Sequence, residues 1–255
     1  MAGQTLVNPH LEGGPFFWEV GPVGIFLSHG LTATCAEVRL LAKRLYTAGF
    51  TVAGPLLPGH GTVPQDLNRV RWQDWAQTGE ESYQQLKTCC QCIFVGGESM
   101  GAVLALYLAS QHPEAAGVLA FAPAIKLNLR AFDSLSLRIL APFIPWVPKK
   151  SLDGSANWQG YPVNPLKGAL QLVRFQRVVL KCLPQIHQPL LVMQGRLDTT
   201  VHPTVGQIIL DGVNSSAKEL HWMENSSHVV IIDQELDEVT RITLEFLNRN
   251  YEYTV

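Results

Sequence analysis

The feature that most constrains the fold of this chain is a serine between two glycines, where a predicted strand meets a predicted helix. The apolar residues 92–95 are typical of a buried strand, and the apolar residues 102–108 are typical of a buried helix. Between them lies the pentapeptide 97–101, Gly-Glu-Ser-Met-Gly, with Ser99 at its centre. Glycine lacks a Cβ atom, so two chain segments can approach closely at both ends of this turn. The pattern predicts a sharp strand–turn–helix unit with the Ser99 hydroxyl above the carboxyl edge of a parallel sheet.

The G-x-S-x-G pattern is short, and a glycine-rich turn that merely ends a buried strand is the alternative interpretation. The surrounding sequence favours the sharp turn, because the strand and the helix both lie where an exposed nucleophile needs them.

Length and composition restrict the class of protein. A chain of 255 residues with 47% hydrophobic and 16% charged residues is expected to form a compact globular fold. The net charge of −2 gives no basic surface for nucleic acid. The first ten residues lack the basic start and apolar core of a signal peptide, and no apolar run reaches the length of a membrane span. We therefore expect a protein without an integral membrane segment and without a nucleic-acid partner; the sequence leaves the oligomeric state open.

The cysteine pattern indicates reduced thiols rather than disulfides or a metal site. The five cysteines form an odd number, which favours a cytoplasmic protein. Cys89, Cys90 and Cys92 lack the paired spacing of a zinc site, so we interpret them as buried, inert thiols and expect no metal.

Buried strands alternate with amphipathic helices along most of the chain. This order predicts an α/β fold with a doubly wound, mainly parallel sheet. The predicted strands are residues 23–28, 50–54, 92–95, 117–122, 189–194 and 220–223. Thr34 and Glu37 form a capping-box pattern that predicts the start of the first helix, and Gly49 predicts its end. Further helices are predicted over residues 72–87 and 233–247.

Residues 124–188, called here the insertion segment, break this alternation. The segment is too long for a simple loop, and it contains helical patterns near 132–139 and 166–179. We predict a helical lid inserted into a core formed by residues 1–123 and 189–255. A segment that leaves the carboxyl edge of the sheet would lie over Ser99.

Ser99 needs a base to accept its proton and an acid to orient that base. Asp198 lies just beyond the predicted strand 189–194, where a strand end would hold the acid. His228 lies in a polar loop after the last predicted strand and is the candidate base. Asp211 and Asp233 are weaker candidates for the acid, because one lies late in a predicted helix and the other begins one.

Two backbone N–H groups are expected to bind the negative oxygen that forms during acyl transfer. The N–H of Met100 follows the serine directly at the start of a helix, whose positive end favours this charge. The second candidate is the N–H of Leu31, which follows a predicted strand and the pair His29-Gly30. An ordinary turn at the end of that strand is the alternative.

Taken together, these motifs resemble those of the monoacylglycerol lipase and bacterial carboxylesterase branch of the α/β-hydrolase family. The resemblance rests on the order and spacing of five motifs, at residues 27–31, 57–61, 97–101, 195–198 and 227–228. It implies ester hydrolysis through an acyl-enzyme, no cofactor, and a helical cap that forms the acyl pocket. Two residues depart from the common pattern. Glu98 stands where relatives often have an apolar residue or histidine, and we favour a structural role for it over one of tuning the histidine. Ser227 stands where many relatives have glycine.

The insertion segment would then supply a pocket for a small apolar ester, with short or medium acyl chains that include those of monoacylglycerols. The candidate lining residues are Leu135, Ile139, Phe143, Ile144 and Trp146. Core packing of the segment is an equal alternative for them. Lys149 and Lys150 would suit an anionic membrane surface or an acidic substrate, although we favour a solvated charge pair.

Other functions share these residues. A thioesterase or an amidase would use the same triad, and a C–C bond hydrolase has the same fold. A non-catalytic member that binds a small apolar ligand is a different class, but it has no need of all three triad residues.

Overall fold

The computed structural model describes residues 6–128, 137–149 and 156–251. Leu135, Lys150 and most of the helix predicted over 132–139 lie outside the described residues. The described strands are β1 (Phe16–Trp18), β2 (Val23–Ser28), β3 (Thr51–Gly54), β4 (Cys92–Glu98), β5 (Gly117–Phe121), β6 (Trp146–Pro148), β7 (Val163–Pro165), β8 (Leu190–Gly195) and β9 (Lys218–Met223). The helices with described ends are α1 (Ala36–Thr47), α2 (Pro64–Leu67), α3 (Trp72–Lys87), α4 (Met100–Gln111), α5 (Leu166–Cys182), α6 (Val205–Gly212) and α7 (Leu236–Tyr251).

Seven strands form the main sheet, in the order β1-β3-β2-β4-β5-β8-β9. Every neighbouring pair in this sheet is parallel except β1 and β3, so the mainly parallel sheet predicted from the sequence is confirmed. The short antiparallel edge strand β1 was not predicted from the sequence. The central strand β4 pairs with β2 on one side, where Ser28 lies opposite Gly97. The residues that follow β2 and β4 therefore emerge side by side at one edge of the sheet.

Hydrophobic cores lie on both faces of the sheet, which is why its strands read as continuous apolar runs. Helix α4 follows β4 and buries ten of its twelve residues against β4, β5 and α5. A helix buried on all sides is held rigidly by its neighbours. This fixes the first turn of α4, to which Ser99 is attached.

The insertion segment connects β5 to β8, which are hydrogen-bonded neighbours in the sheet. It contains helix α5 and a small antiparallel ribbon of β6 and β7. The ribbon was not predicted, because strands of three residues leave no clear pattern in a sequence. The division of the chain into a core and a lid stays a prediction. Within the described residues, no helix combines the length and apolar character that crossing a membrane requires.

Candidate active site

Ser99 lies between β4 and α4 in a backbone conformation that is rare for residues other than glycine. Its φ of 56° and ψ of −111° are strained angles, with a typical cost of about 1–3 kcal/mol. Backbone hydrogen bonds hold this conformation on both sides. The Ser99 N–H donates to Phe121 O at 2.9 Å, and the Ala124 N–H donates to Ser99 O at 3.1 Å. The strained turn is therefore held by the neighbouring strand and by the start of the insertion segment.

The two glycines beside Ser99 are required by close backbone contacts. A Cβ atom on Gly101 would lie 2.0 Å from Ser28 O, and one on Gly97 would lie 2.6 Å from the same atom. Either contact is far below van der Waals distance, so the end of β2 can pack against this turn only when both positions are glycine.

His228 connects Ser99 to Asp198 through a continuous pair of hydrogen bonds. The Ser99 hydroxyl lies 2.9 Å from His228 Nε2, and His228 Nδ1 lies 2.8 Å from Asp198 Oδ2. Because the carboxylate oxygen of Asp198 acts as the acceptor, Nδ1 carries the ring proton and the lone pair of Nε2 faces the Ser99 hydroxyl, whose proton it can accept. The structure brings these three predicted residues together in the geometry that nucleophilic catalysis by serine requires.

Asp198 is oriented by the backbone of its own loop. Its side chain is fully buried, and its Oδ1 accepts the N–H groups of Thr200 at 2.7 Å and Val201 at 3.1 Å. These two donors fix one carboxylate oxygen, so the other faces His228. Asp198, which was predicted from its place after a strand, therefore has a carboxylate in a fixed orientation.

The loop that carries His228 is held by Asp233, one of the alternative acids. Ser227 donates to Asp233 Oδ2 through its N–H at 2.7 Å and through its hydroxyl at 2.6 Å. Burial opposes the charge of Asp233, but the bonds from Ser227 and from the Gln234 N–H outweigh it and lower the pKa of Asp233. Serine before the histidine thus acts as an anchor for the loop. Asp211 instead accepts a hydrogen bond from Gln207 on α6.

The peptide unit between Gly30 and Leu31 is held beside Ser99 by a neutral histidine. A Cβ atom on Gly30 would lie 3.2 Å from Ser99 Cβ, which places this loop against the serine. His29 Nδ1 donates to Gly30 O at 2.9 Å, while the Leu57 N–H donates to His29 Nε2 at 3.1 Å. Burial lowers the pKa of His29 to about 4, so the ring stays neutral and keeps both bonds.

Fixing the Gly30 carbonyl also fixes the Leu31 N–H, because the two groups point in opposite directions across one trans peptide. No acceptor among the described residues takes the Leu31 N–H. Met100 is the first residue of α4, and its N–H lacks a partner within the helix, as at every helix start. The Met100 N–H is next to Ser99 in the chain, and the Leu31 N–H belongs to the loop that packs against Ser99. The role of both groups as oxyanion donors stays a prediction.

Glu37 holds the other side of Gly30, and its role was missed in the sequence analysis. Its carboxylate is buried and accepts the Gly30 N–H at 2.5 Å and the Trp158 indole N–H at 3.0 Å. The predicted capping box is therefore wrong: α1 begins at Ala36 with Cys35 before it, and Glu37 points into the site instead of capping the helix. The sequence did contain a signal that Glu37 is buried and bonded. Glu37 lies four residues before Leu41, on the apolar face of α1, where a carboxylate needs partners.

Trp158 belongs to residues 158–161 of the insertion segment, which lie along the loop that follows β2. The Thr34 N–H donates to Gln159 O at 3.0 Å, and the Tyr161 N–H donates to Thr32 O at 2.9 Å. The insertion segment thus starts beside Ser99 and returns beside the Gly30 loop.

The motif at residues 57–61 also supports this loop. His60 packs edge-on against His29 with 4.8 Å between ring centroids, and burial lowers the pKa of His60 well below its usual value. The hydroxyl of Tyr161 donates to Gly59 O at 2.8 Å. These contacts give the motif a structural purpose in holding His29.

The residues predicted to line an acyl pocket are largely on the surface where they are described. Phe143, Ile139 and Ile144 are exposed, with Phe143 at 82% and Ile139 at 57%, while Trp146 is half-buried. Their role in an acyl pocket stays a prediction, as does that of Leu135. Glu98 is fully buried in β4 opposite Phe121, and its role also stays open. No group of three or more His, Cys, Asp or Glu side chains that could hold a metal ion occurs in the described ranges. The prediction that Cys89, Cys90 and Cys92 are buried is wrong, because all three are only half-buried.

Known proteins share this sequence and architecture. A family model described as "Serine aminopeptidase, S33" matches residues 23–159. A thermostable monoacylglycerol lipase from Bacillus sp. (strain H-257) is 35% identical, with 95% of this chain and 97% of that protein aligned. A carboxylesterase from Bacillus subtilis (strain 168) is 28% identical, with 92% and 96% aligned. A solved structure of a metagenome-derived lipolytic enzyme is 31% identical, has a TM-score of 0.87, and covers 94% of this chain and 99% of its own.

These matches span nearly the whole chain and confirm the fold class and the family resemblance that the sequence motifs carried. The chain therefore belongs to the α/β-hydrolase family, in the branch of monoacylglycerol lipases and bacterial carboxylesterases, whose members are hydrolases of carboxylic esters.

Proposed function

We propose that this protein is a serine carboxylesterase that hydrolyses short- to medium-chain acyl esters, including monoacylglycerols, through an acyl-enzyme on Ser99. The observation that carries the proposal is the hydrogen-bonded series Ser99–His228–Asp198, with distances of 2.9 and 2.8 Å. The 35% identity to a monoacylglycerol lipase and the 28% identity to a carboxylesterase support an ester substrate.

In the first half-reaction, Ser99 Oγ attacks the ester carbonyl carbon while His228 Nε2 accepts the hydroxyl proton. The carbonyl oxygen becomes negatively charged and would accept hydrogen bonds from the N–H groups of Leu31 and Met100. Asp198 stabilises the imidazolium that forms. The C–O bond to the alcohol then breaks, and the proton on Nε2 passes to the leaving oxygen, which leaves an acyl group on Ser99.

In the second half-reaction, His228 accepts a proton from water, and the resulting hydroxide attacks the acyl carbon. The tetrahedral intermediate breaks its bond to Ser99 Oγ, and the proton returns to that oxygen. The products are a carboxylic acid and the restored serine, so the reaction needs no cofactor.

We further propose that the insertion segment forms the lid over this site. Its start and its return both contact the site, through the bond from the Ala124 N–H to Ser99 O and through the indole of Trp158 on Glu37. A cytoplasmic location is proposed as well, because all five cysteines are free thiols.

A fluorophosphonate probe tests the nucleophile directly. We expect stoichiometric labelling of the peptide that contains Ser99 and no labelling of the Ser99→Ala variant, which should also lose about 10⁴-fold or more in kcat on p-nitrophenyl butyrate. An unlabelled wild-type protein that binds esters without turnover would instead support a non-catalytic binding function.

The substrate class is tested by comparing kcat/KM for matched oxygen esters, thioesters and amides of the same acyl groups. We expect monoacylglycerols and simple esters with short or medium chains to be the best substrates. A preference of about tenfold or more for the thioester or for an aminoacyl amide would overturn the ester assignment while leaving the triad in place.

A further inference from the structure

A cationic cavity lies outside the triad, where the loop between α2 and α3 meets the insertion segment at residues 141–142 and helix α5. It has a volume of about 320 Å³, and its charged lining residues are Arg69, Arg71, Lys167 and Arg174. Asn68 holds its walls together, since its Oδ1 accepts the Lys167 N–H at 2.9 Å and its Nδ2 donates to Pro145 O at 2.7 Å. The four cations therefore border an open hollow, and all four residues are exposed to solvent.

The positive charge of this cavity is only partly compensated, since the Asp74 carboxylate accepts the backbone N–H of Arg71 at 2.7 Å. Arg69 forms an ion pair with Asp66 at 3.0 Å, but among the described residues no carboxylate forms an ion pair with Arg71, Lys167 or Arg174. Helix α5 carries four cationic residues and no Asp or Glu over its 17 residues. Like charges around a shared hollow repel one another, and an anion in the hollow would relieve this repulsion.

Exposed apolar side chains adjoin the cavity. Ala141 and Pro142 line it, and they stand between Leu140, which is 40% exposed, and Phe143, which is 82% exposed. The remaining exposed apolar residues of this stretch are Ile139, Ile144 and Val147. A large aromatic side chain left in water beside a cationic hollow is typical of a surface that meets lipid headgroups and acyl chains together.

We propose that this surface, formed by the cationic cavity and the apolar residues 139–147, docks on membranes that contain anionic phospholipids. The cavity binds the phosphate of a lipid headgroup, and Phe143 enters the boundary between headgroups and acyl chains. The apolar residues favour a lipid over free inorganic phosphate, because a soluble anion would leave Phe143 exposed. The exposure of Phe143 also favours this outward role over the acyl-pocket role.

Co-sedimentation with vesicles in the absence of substrate tests the proposal independently of the catalytic function. Vesicles of phosphatidylcholine alone are compared with vesicles that contain about 30% phosphatidylglycerol. We expect binding at least about tenfold tighter to the anionic vesicles, and this preference should weaken as salt is added. Equal binding to both kinds of vesicle, or binding to neither, would overturn the proposal.

Charge-neutralising variants locate the binding surface. Each removed cation should weaken binding to anionic vesicles about fivefold, so the double variant Lys167→Gln/Arg174→Gln should lose about 25-fold. Phe143→Ser should lose about tenfold. A control, Lys43→Gln/Arg249→Gln, removes the same charge from exposed positions that pair with Glu12 and Glu219, and it should stay within about twofold of wild type. An equal loss in the control would show general attraction only and overturn the site.

Two further measurements separate docking from other outcomes. The Lys167→Gln/Arg174→Gln variant should hydrolyse a soluble monomeric ester within about twofold of wild type, and if it fails to fold, each single variant should show the fivefold loss. Equilibrium dialysis with inorganic phosphate covers the other source of the anion. If the protein binds phosphate but not anionic vesicles, the cavity takes a soluble anion and not a lipid headgroup. That result would overturn the docking proposal.

Discussion

The carboxylate of Glu37 accepts the backbone N–H of Gly30 at 2.5 Å and, through its other oxygen, the indole N–H of Trp158 at 3.0 Å. Glu37 thus connects the loop beside Ser99 to the insertion segment. Together with the bond from His29 to Gly30 O, it holds both sides of Gly30. The orientation of the Leu31 N–H depends on this support.

We predict that Glu37→Gln lowers kcat on a soluble ester by about tenfold with little change in KM, because the Leu31 N–H, our proposed oxyanion donor, would lose its orientation and bind the transition state less well. Two donors, the Gly30 N–H and the Trp158 N–H, would face a side chain with only one acceptor oxygen. Steady-state kinetics give both parameters, and the urea midpoint shows whether the fold is kept. A rise in KM with unchanged kcat would contradict this positioning role.

Trp158→Phe provides the control and a rescue. Alone, it should change kcat by less than about threefold, because Glu37 keeps its bond to Gly30. Combined with Glu37→Gln, it should restore most of the lost kcat, since the amide oxygen can turn to Gly30 once the indole N–H is gone. Strictly additive losses in the double variant would show that the two residues act independently.

Gly101→Ala tests the close approach of β2 to the turn that holds Ser99. The new Cβ would lie 2.0 Å from Ser28 O, and neither backbone can move without disturbing β2 or the buried helix α4. We expect a loss of about 1–3 kcal/mol in the free energy of unfolding, together with a large loss of activity. Gly14→Ala is the matched control, because a Cβ there meets nothing within 4 Å. Comparable urea midpoints for the two variants would refute the steric argument.

Much of this architecture could be predicted from the sequence, because it depends on local patterns. Helix α3 has the predicted bounds 72–87, and Gly49 follows α1 with a φ of 97°, as a helix-ending glycine should. The order of Ser99, Asp198 and His228 along alternating strands and helices was enough to bring them to one edge of the sheet. Periodicity and motif order carry this information because each element is long and strongly patterned.

The contacts that depend on distant chain segments could not be predicted in this way. Glu37 and Trp158 are 121 residues apart, and nothing in either local pattern points to the other. The capping-box prediction failed for the same reason, since Glu37 satisfies a helix-start pattern equally well in the absence of tertiary structure. The three-residue strands β6 and β7 likewise form only because their partners lie across the insertion segment.

Asp198→Asn tests how the loop after β8, which carries Asp198, sets the tautomer of His228. Because the N–H groups of Thr200 and Val201 both point at Oδ1, the amide oxygen is held there and the NH₂ group faces His228 Nδ1. The ring must then carry its proton on Nε2, where it cannot accept the Ser99 proton. We expect kcat to fall about 10⁴-fold with the fold intact. Asp211→Asn, at a surface carboxylate, should leave kcat unchanged; similar losses in both variants would exclude a specific role for Asp198.

The buried neutral state of His29 predicts a loss of stability in acid. Burial lowers its pKa from 6.5 to about 4 in the folded protein, so the unfolded chain binds the proton more tightly across this range. The free energy of unfolding should therefore fall as the pH is lowered from about 6.5 to about 4. The contribution of His29 to this fall is roughly 3 kcal/mol, and the full stability should be present above about pH 6.5.

His60 faces His29, and its pKa is also lowered by burial, so the wild type should lose more than His29 alone accounts for. His29→Gln keeps an acceptor for the Leu57 N–H and a donor for Gly30 O but cannot be protonated. It should therefore remove the contribution of His29 to the pH dependence of the free energy of unfolding. The measurement is the urea midpoint at several pH values for wild type, His29→Gln and the exposed-histidine control His187→Gln. If His29→Gln shows the same pH dependence of stability as wild type, protonation of His29 is not the cause of the loss in acid.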